Sequence, residues 1–247
     1  MRRPGAVPGS RGYFGDGLLR PPMASYSTAV TPEIPGAGPD EAAGTVADPI
    51  AGPVADPDAH LRERTVGSEV IYRGRYLTFR IDTIEDASGT RHQREIAGHP
   101  GAVAIVALDD HDRVLLVRQF RTAAGRALLE IPAGTLDAAE DGAIEDPAVA
   151  APRELEEETG HRAGGWRFLT RFYTAPGFTN ELMHLFLATD LRPAVDGRLE
   201  PDEDERLELI RLPWEEAVAA VERGEIADAK SIVGLLWLAR LKAAGEA

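Results

Sequence analysis

The sequence predicts an α+β protein, with an α/β/α sandwich around a mixed sheet as its architecture. Two observations predict it. Short segments that alternate apolar and polar residues recur between Glu69 and Leu212, and such alternation is typical of strands. One helical segment ends near Gly160 and two more close the chain, so the helices are segregated around the strands.

Composition limits the class of protein. The chain has 247 residues, of which 43% are hydrophobic and 28% charged, enough for a water-soluble protein with a substantial core. The formal net charge of −14 argues against a nucleic-acid partner, because phosphate contacts need clustered Lys and Arg. No apolar stretch is long enough to cross a membrane, and the absence of cysteine agrees with a reducing cytoplasm.

Residues 1–62 are predicted to form a disordered tail. They are rich in Pro, Gly, Ala, Asp and Thr, so they cannot bury enough apolar surface to offset their ordering entropy. Residues 63–98 are predicted to form a small N-terminal antiparallel β meander, and residues 99–247 the main domain. The meander strands, separated by glycine-containing turns, are expected at Glu69–Arg73, Tyr76–Ile84 and Arg91–Ile96.

The main domain is predicted to begin with a buried hairpin. Gly101–Asp109 and Arg113–Gln119 are rich in Val and Leu and are joined by polar residues. Further strands are expected at Leu128–Ile131, Trp166–Tyr173, Leu182–Ala188 and Leu207–Leu212. The closing helices are expected at Trp214–Arg223 and Ala229–Ala244, the second with an apolar face.

The helix that ends at Gly160 carries the strongest functional signal. Glu154, Glu157 and Glu158 fall on one helical face, whereas Glu156 points the opposite way. Three carboxylates on one stripe repel one another, and a bound divalent cation removes that penalty, since Mg²⁺ prefers carboxylate oxygens and water. A lone glutamate run is usually a solvated face. The preceding Arg153, the flanking glycines and an upstream glutamate make this segment more specific.

The segment resembles the Nudix box, commonly written Gly-x5-Glu-x7-Arg-Glu-U-x-Glu-Glu-x-Gly-U, where U is a bulky apolar residue. The match runs in register from Glu145 through Arg153–Glu158 to Gly160. Two positions depart from the pattern: ten residues rather than five separate Gly134 from Glu145, and His161 stands at the last U. The resemblance implies a Nudix-type α/β/α sandwich.

Pro152 is the least typical residue of the predicted helix. Inside a helix, a proline removes one backbone hydrogen bond and costs about 3 kcal/mol. Either the helix is kinked there, or its regular part starts near Pro152 with Pro147 in the preceding turn. The carboxylates that face the metal follow Pro152, so their half of the helix is expected to be intact.

Three further segments resemble the ADP-ribose pyrophosphatase branch of the Nudix family, and the resemblance covers residues 68–245. Pro176-Gly177 resembles its Pro-Gly loop, although by itself this pair is only a turn signal. Val117–Arg121 and Leu129–Gly134 resemble the strand and loop that precede the box. Asp202–Glu205 resembles an acidic loop that closes over the site, although an acidic loop is usually just solvated.

The resemblance implies a metal site and a catalytic base. The implied metal ligands are the carbonyl of Ala133 and the carboxylates of Glu154, Glu158 and Glu205, which hold two or three Mg²⁺ ions, with Mn²⁺ as an alternative. Glu203 is implied as the base, and Arg153 and Glu157 complete the catalytic set. The roles of Glu203 and Glu205 could be exchanged, and in other family members a carboxylate of the box helix is the base.

The resemblance also implies the residues that hold substrate. They are Arg94, Arg121, Glu181, Pro176, Gly177 and, as an aromatic partner for adenine, Tyr76. Guanidinium suits a diphosphate because it presents a planar fork of permanent charge. Without the resemblance, Arg121 is a strand-end surface charge and Tyr76 a core or sheet-surface tyrosine. In relatives the meander swaps onto a partner subunit, which implies a homodimer.

The function implied is Mg²⁺-dependent hydrolysis of ADP-ribose to AMP and ribose 5-phosphate. One alternative is the same reaction on another nucleoside diphosphate sugar or on a dinucleotide. A second is a Nudix-fold module that binds ADP-ribose without cleaving it, which is less favoured because such modules typically lose box carboxylates. A third is an acidic α+β interaction domain that binds no metal.

Overall fold

The computed structural model describes residues 58–139, 142–196, 199 and 206–247. Residues 1–57 of the predicted tail therefore lie outside the described residues, and so does the acidic segment Asp202–Glu205. The described part of the predicted tail contains one 3-10 turn, Ala59–Leu61.

Three antiparallel strands form the predicted N-terminal meander, in the order β1-β2-β3. Strand β1 begins earlier than the alternation indicated, because Arg64 and Thr65 also pair with β2, across a register shift between Thr65 and Gly67. Asp82, nearly buried on β2, accepts a hydrogen bond at 3.0 Å from Arg80 Nε of the same strand and one at 2.6 Å from Ser68 Oγ, and the Ser68 bond ties β1 to β2. The strands are β1 (Arg64–Arg73), β2 (Thr78–Glu85) and β3 (Arg91–Gly98).

A separate seven-stranded sheet forms the centre of the main domain. Its path is β10-β5-β4-β9-β8, with β6 paired to β5 and β7 paired to β4. Strands β4 and β9 are parallel and the other pairs antiparallel, so the predicted mixed sheet is confirmed. The strands are β4 (Ala102–Leu108), β5 (Arg113–Arg121), β6 (Arg126–Glu130), β7 (Ala133–Thr135), β8 (His161–Tyr173), β9 (Leu182–Pro193) and β10 (Glu208–Pro213).

Strands β4 and β5 pair at one end and separate at the other. Their only paired residues are Ala107 with Leu115 and Leu108 with Val114. Beyond these pairs, β5 bonds to β6 and β4 bonds to β7, so the chain that connects β6 with β7 fills the opening. The sequence predicted β7 as a loop, because three residues of the type Ala-Gly-Thr are too short to show alternation.

Helices cover both faces of the mixed sheet, as predicted for an α/β/α sandwich. Val103 and Ile105 on β4 pack with Leu155 of the helix α1, whereas Ala104 and Val106 belong to the core beneath the other two helices. This division follows from the alternation of side chains along a strand. The helices are α1 (Pro147–Thr159), α2 (Trp214–Glu222) and α3 (Ala229–Ala244). In the part of the chain that the structure describes, no helix is long and apolar enough to cross a membrane.

Helix α1 begins at Pro147 and runs through Pro152 without a break. The side chain of Asp146 caps it by accepting a backbone N–H of the first turn at 2.8 Å. Proline suits the first helical position because its missing N–H would have no partner there. The prediction that the regular helix starts only near Pro152 is therefore wrong. The second half is intact, and Gly160 ends it in the left-handed conformation, with φ 67°.

Helix α3 is fixed at its start to the connection between β6 and β7. Asp228 caps the helix by accepting the N–H of Ser231 at 3.1 Å. The Ser231 hydroxyl in turn accepts the N–H of Ile131 at 2.8 Å, in the buried interior. A Cβ added to Gly234 would lie 2.9 Å from side-chain atoms of Ile131 and Val106, so glycine permits this close approach. The first turn of α3 therefore lies beside the end of β6.

Leu235→Ala and Leu236→Ala test the predicted core face of α3. Leu235 is fully buried, whereas its neighbour Leu236 is 49% exposed. The first substitution should lower the free energy of unfolding by about 2–5 kcal/mol, because it leaves a cavity in a packed core. The second should change that free energy by less than about 0.5 kcal/mol. Urea denaturation of both variants measures the difference, and equal losses would contradict the assignment of the core face.

Candidate active site

A cavity of about 470 Å³ opens where the meander, β5, β7 and α1 meet. Its walls combine positive charge, negative charge and exposed backbone, which suits a charged ligand better than an apolar one. The lining residues are Arg75, Tyr76, Gln119, Arg121, Ala133, Gly134, Thr135, Asp137, Arg153, Glu154 and Glu157. Six of the site residues predicted from the sequence meet here, namely Tyr76, Arg121, Ala133, Arg153, Glu154 and Glu157.

The carboxylate of Glu154 lies directly against the backbone of β7. A Cβ added to Gly134 would come within 1.9–2.1 Å of the carboxylate atoms of Glu154, closer than any real contact. Only glycine therefore allows Glu154 its observed position. This contact gives a physical reason for a glycine upstream of the acidic helix, at whatever spacing the connecting loop has.

Glu158 lies one helical turn further along and also contacts β7. Its Oε2 accepts the backbone N–H of Ala133 at 2.9 Å, and its side chain is nearly buried. Glu154 and Glu158 thus lie beside consecutive residues of the same short strand. The i, i+4 spacing that the sequence showed places both carboxylates on one face of α1.

Arg153 balances the carboxylates around it. Its Nη2 lies 2.8 Å from Glu145, while Nη1 lies 2.8 Å from Glu154 and 2.9 Å from Glu157. The hydrogen bond to Glu145 is the largest cause that raises the pKa of Arg153 above its ordinary value, and the charges of Glu154 and Glu157 add to it. The same bond lowers the pKa of Glu145. The arginine thereby reduces the repulsion expected between the glutamates.

Glu156 points away from the other glutamates, as the helical spacing predicted, and it pairs with a neighbouring strand instead. Its carboxylate accepts two hydrogen bonds at 2.6 Å from Arg162 of β8 and a third at 3.1 Å from the backbone N–H of Leu199. The side chain is nearly buried on the side away from the cavity. Glu156 therefore offers a matched control for substitutions of the neighbouring glutamates.

Arg121 is held by a buried carboxylate that the sequence did not single out. Glu130, on the paired strand β6, accepts from Arg121 Nε and Nη2, both at 2.8 Å, and also from Lys230 Nζ. Burial raises the pKa of Glu130, but the hydrogen bond from Arg121 and the charge of Lys230 outweigh it, so the pKa lies below its ordinary value. Arg121 is thus oriented at the cavity instead of being a loose surface charge.

Tyr76 reaches the cavity from the turn between β1 and β2. Its ring is about half exposed, and the guanidinium of Arg75 stacks over it, 4.7 Å from the ring centroid. Both residues line the cavity. Tyr76 is therefore neither a core tyrosine nor remote from the box helix.

The Pro176-Gly177 loop docks on the meander rather than on this cavity. The N–H of Ala97 on β3 donates to the carbonyl of Phe178 at 2.8 Å. Glu181, after the loop, accepts from Thr174 Oγ1 at 2.5 Å. Among the described residues, the lining of the cavity includes neither the Pro-Gly pair nor Glu181.

Arg94 also lies apart from the cavity in a single subunit. It is on β3 and forms an ion pair with Glu63, with a hydrogen bond from Nε at 3.2 Å. This partner precedes β1, and no local pattern in the sequence indicated the pair. The structure brings Arg94 to none of the other predicted site residues of the same chain that it describes.

Gln119 lines both the first cavity and a second one of about 750 Å³. The second cavity includes Glu158, Arg118 and Arg206 in its lining. The buried Oε1 of Gln119 has no hydrogen-bond partner in the described part of the structure. Gln119 was predicted only as the end of a strand, and its shared position between the cavities is a feature that the sequence did not indicate.

The described residues supply part of a metal site. Across 58–139, 142–196, 199 and 206–247, no three His, Asp or Glu side chains are arranged to hold a metal ion. Glu154 and Glu158 nevertheless suit a hard divalent cation, because both present carboxylate oxygens beside the same β7 backbone. The predicted ligand Glu205 and the predicted base Glu203 lie outside the described residues, so their roles stay predictions.

The mixed sheet between helix layers and the glutamates of α1 define the class of protein. The family model described as "NUDIX domain" matches residues 98–233. The chain belongs to the Nudix family, whose hydrolases generally need divalent metal ions. The membership predicted from the box is thereby confirmed.

Similar proteins of known activity indicate which branch of the Nudix family the chain resembles. The chain is 40% identical over 187 residues to the ADP-ribose pyrophosphatase of Bacillus subtilis (strain 168), covering 76% of this chain and 97% of that protein. It is 40% identical over 173 residues to the ADP-ribose pyrophosphatase of Mycobacterium tuberculosis (strain ATCC 25618 / H37Rv), covering 70% and 81%. A crystal structure of an ADP compounds hydrolase matches with TM-score 0.64 and 27% identity, covering 75% and 97%. The predicted resemblance to ADP-ribose pyrophosphatases is confirmed.

Gly134→Ala tests the contact between β7 and Glu154. The new Cβ would displace the Glu154 carboxylate, and because this is the end of a flexible side chain, the fold should survive. We expect the rise in melting temperature produced by a divalent cation to shrink by at least half, since ligand-induced stabilisation follows affinity. Gly67→Ala in β1, where the nearest atoms to a new Cβ are 3.8 Å away, is the control. An unchanged cation response in Gly134→Ala would contradict the contact.

Proposed function

We propose that the protein hydrolyses the diphosphate of ADP-ribose to AMP and ribose 5-phosphate, with Mg²⁺ as the metal and Mn²⁺ as a substitute. The observation that carries the proposal is the pair of nearly buried carboxylates, Glu154 and Glu158, beside the backbone of β7. Glu154 lines a cavity that also presents Arg121 and Tyr76, and Glu158 lines the neighbouring cavity. The names of the relatives support ADP-ribose as the substrate.

Glu154, Glu158, the carbonyl of Ala133 and Glu205 would hold the metal. When bound there, a divalent ion supplies neutralisation of the diphosphate charge and a lower pKa for a water molecule. Arg153 keeps Glu154 and Glu157 in place by pairing with both. When no ion is present, the positive charge of Arg153 limits the repulsion among the glutamates. A bound ion would compete with Arg153 for Glu154.

Glu203 would accept a proton from the attacking water. The water oxygen would bond to one phosphorus as the bond from that phosphorus to the bridging oxygen breaks. Glu205 would serve as the ligand, and the two roles are exchangeable because the residues are neighbours in one acidic segment. Arg121 would bind the diphosphate through its guanidinium, whose orientation Glu130 fixes. Tyr76 would lie against the adenine.

The proposal includes a homodimer formed through the meander. Strand β1 leaves large apolar side chains exposed, among them Ile71 at 50% and Tyr72 at 62%. Such surface favours burial against a second copy. Arg94, Glu181 and the Pro-Gly pair lie outside the cavity of their own chain, and in this proposal they serve the site of the dimer. Light scattering on the purified chain tests the mass, and a monomer at micromolar concentration would refute this part.

The same residues are compatible with other diphosphate substrates, because Arg121 and the box carboxylates recognise the diphosphate and not the base. A nucleoside diphosphate sugar or a dinucleotide is therefore the alternative substrate class. The intact set Glu154, Glu157 and Glu158 favours an enzyme over a module that only binds ADP-ribose. The cysteine-free sequence fits action in a reducing cytoplasm.

Release of AMP from ADP-ribose tests the proposed function. Purified protein with Mg²⁺ should form AMP, and Glu157→Gln and Glu158→Gln should each lower kcat/KM by more than about 100-fold, because even residues that only orient a metal ligand are worth about 10–100-fold. Glu156→Gln is the matched control, since its carboxylate pairs with Arg162 away from the cavity. It should lower stability and leave kcat/KM within about threefold.

A panel of diphosphates separates the substrate classes. ADP-ribose should have the highest kcat/KM among ADP-ribose, nucleoside diphosphate sugars and dinucleotides. No AMP from ADP-ribose, or unchanged rates in both Glu157→Gln and Glu158→Gln, would refute the proposed function.

A further inference from the structure

Glu130 is an almost completely buried carboxylate, 1% exposed, between two cations. Its Oε1 accepts from Arg121 Nε, and its Oε2 accepts from both Arg121 Nη2 and Lys230 Nζ. Lys230 is also bound to the Asp228 carboxylate at 2.9 Å. The proposed reaction uses Arg121 to bind the diphosphate and Glu130 to orient it, so the two remaining charges, on Lys230 and Asp228, need an explanation.

We propose that Lys230 is a positioning residue for the substrate: through Glu130, it fixes the orientation of the Arg121 guanidinium at the diphosphate site. The inference rests on the proposed function in assigning Arg121 to the diphosphate. Lys230 is on the first turn of α3, and 100 residues of sequence separate it from Glu130. It lines neither of the two cavities. Its influence on substrate therefore passes through the carboxylate.

Two neighbouring residues, Asp228 and Ser231, hold Lys230 in place. Asp228 caps α3 and binds the ammonium group, so cap and lysine belong to one helical turn. Ser231, the next residue, accepts the N–H of Ile131, the residue that follows Glu130. The first turn of α3 is thereby attached to the end of β6 by one backbone contact and one ion pair. The backbone of Lys230 is thus held in place by the contacts of its own helical turn.

The orientation of Arg121 depends on a fixed Glu130. An arginine loses rotamer entropy when it binds a ligand, unless its guanidinium is already held in place. Glu130 holds Nε and Nη2 in a bidentate pair, and Lys230 holds the Oε2 that this pair shares. Without Lys230, the buried carboxylate of Glu130 would have one cationic partner instead of two. It would then move together with the Arg121 guanidinium and would no longer fix its orientation.

The charges also balance. Arg121 and Lys230 together carry two positive charges, against the two negative charges of Glu130 and Asp228. If Lys230 became neutral, Glu130 would cancel more of the positive charge that Arg121 presents to a diphosphate. Loss of Lys230 should therefore weaken substrate binding in two ways: the orientation of Arg121 would be less fixed, and less positive charge would face the diphosphate.

Lys230→Met is the direct test, with Lys242→Met as its matched control. Lys242 lies on the same helix, is similarly buried and is paired with Asp112. Neither Lys242 nor Asp112 is among the residues that line the cavity. We expect Lys230→Met to raise the KM for ADP-ribose about five- to tenfold and to change kcat less than about twofold, because ordering a long side chain on binding has an effect of this size. Lys242→Met should leave both constants unchanged. Lys230→Arg, which keeps a cation, should recover most of the loss.

A double-substitution cycle shows whether Lys230 acts through Arg121. In an Arg121→Ala background, Lys230→Met should add less than about a twofold change in KM, since coupled residues are not additive. A purely structural lysine would lower the folded fraction, and so kcat, without raising KM, and its effect would be the same in both backgrounds. Either result would overturn the inference.

Calorimetric titration with inorganic diphosphate and Mg²⁺ separates this inference from the proposed function. Tighter binding to the wild-type protein than to Lys230→Met, with no AMP formed from ADP-ribose, would refute the reaction and support the positioning role. AMP formation with equal diphosphate affinity and equal KM in the two proteins would refute the positioning role alone. Absence of diphosphate binding by the wild-type protein would overturn the assignment of Arg121 to the diphosphate, and with it the positioning role.

Discussion

The contact between helix α1 and strand β7 is the constraint on which the site depends. Strands β4 and β5 separate after two residue pairs, and the connection between β6 and β7 fills the opening. This irregular pairing places Ala133 and Gly134 beside the glutamates of α1. Leu155, on the flank of the same helical turn, is buried in the core that includes β4, so the apolar core fixes the distance at which Glu154 and Glu158 meet the backbone. A larger residue at position 134 is incompatible with that distance.

Burying negative charge next to the core requires cations, and among the described residues two groups of them lie at the site. Arg153 pairs with glutamates of the box, and Arg121 with Lys230 pairs with Glu130. Removing one member of such a group would leave a buried charge without its partner, which costs far more than the loss of a surface ion pair. The lowered pKa of Glu130 has a further consequence. Its ion pairs stabilise the fold above the ordinary pKa of a glutamate, and that stability is lost as the pH falls through the lowered value.

Local patterns in the sequence predicted most of the fold and the second half of α1. Alternation located the central strands, and helical spacing placed Glu154 and Glu158 on one face and Glu156 on the other. Three features were not predicted, one because the strand is too short and two because they depend on distant parts of the chain. Strand β7 is too short for a pattern, the pairing of Glu130 with Lys230 spans 100 residues, and Arg94 binds a glutamate that precedes the meander. The helix start at Pro147 was uncertain from sequence because a second proline follows within the helix.

The central claim is that the α1 carboxylates beside β7 form a site for a divalent cation. Electron paramagnetic resonance of Mn²⁺ added to the wild-type protein and to Glu154→Gln measures it most directly, without substrate or turnover. The account predicts that the wild-type protein takes up Mn²⁺ and that Glu154→Gln, which keeps the size of the side chain and loses its charge, binds it at least about tenfold more weakly. Equal Mn²⁺ affinity in the two proteins would contradict it.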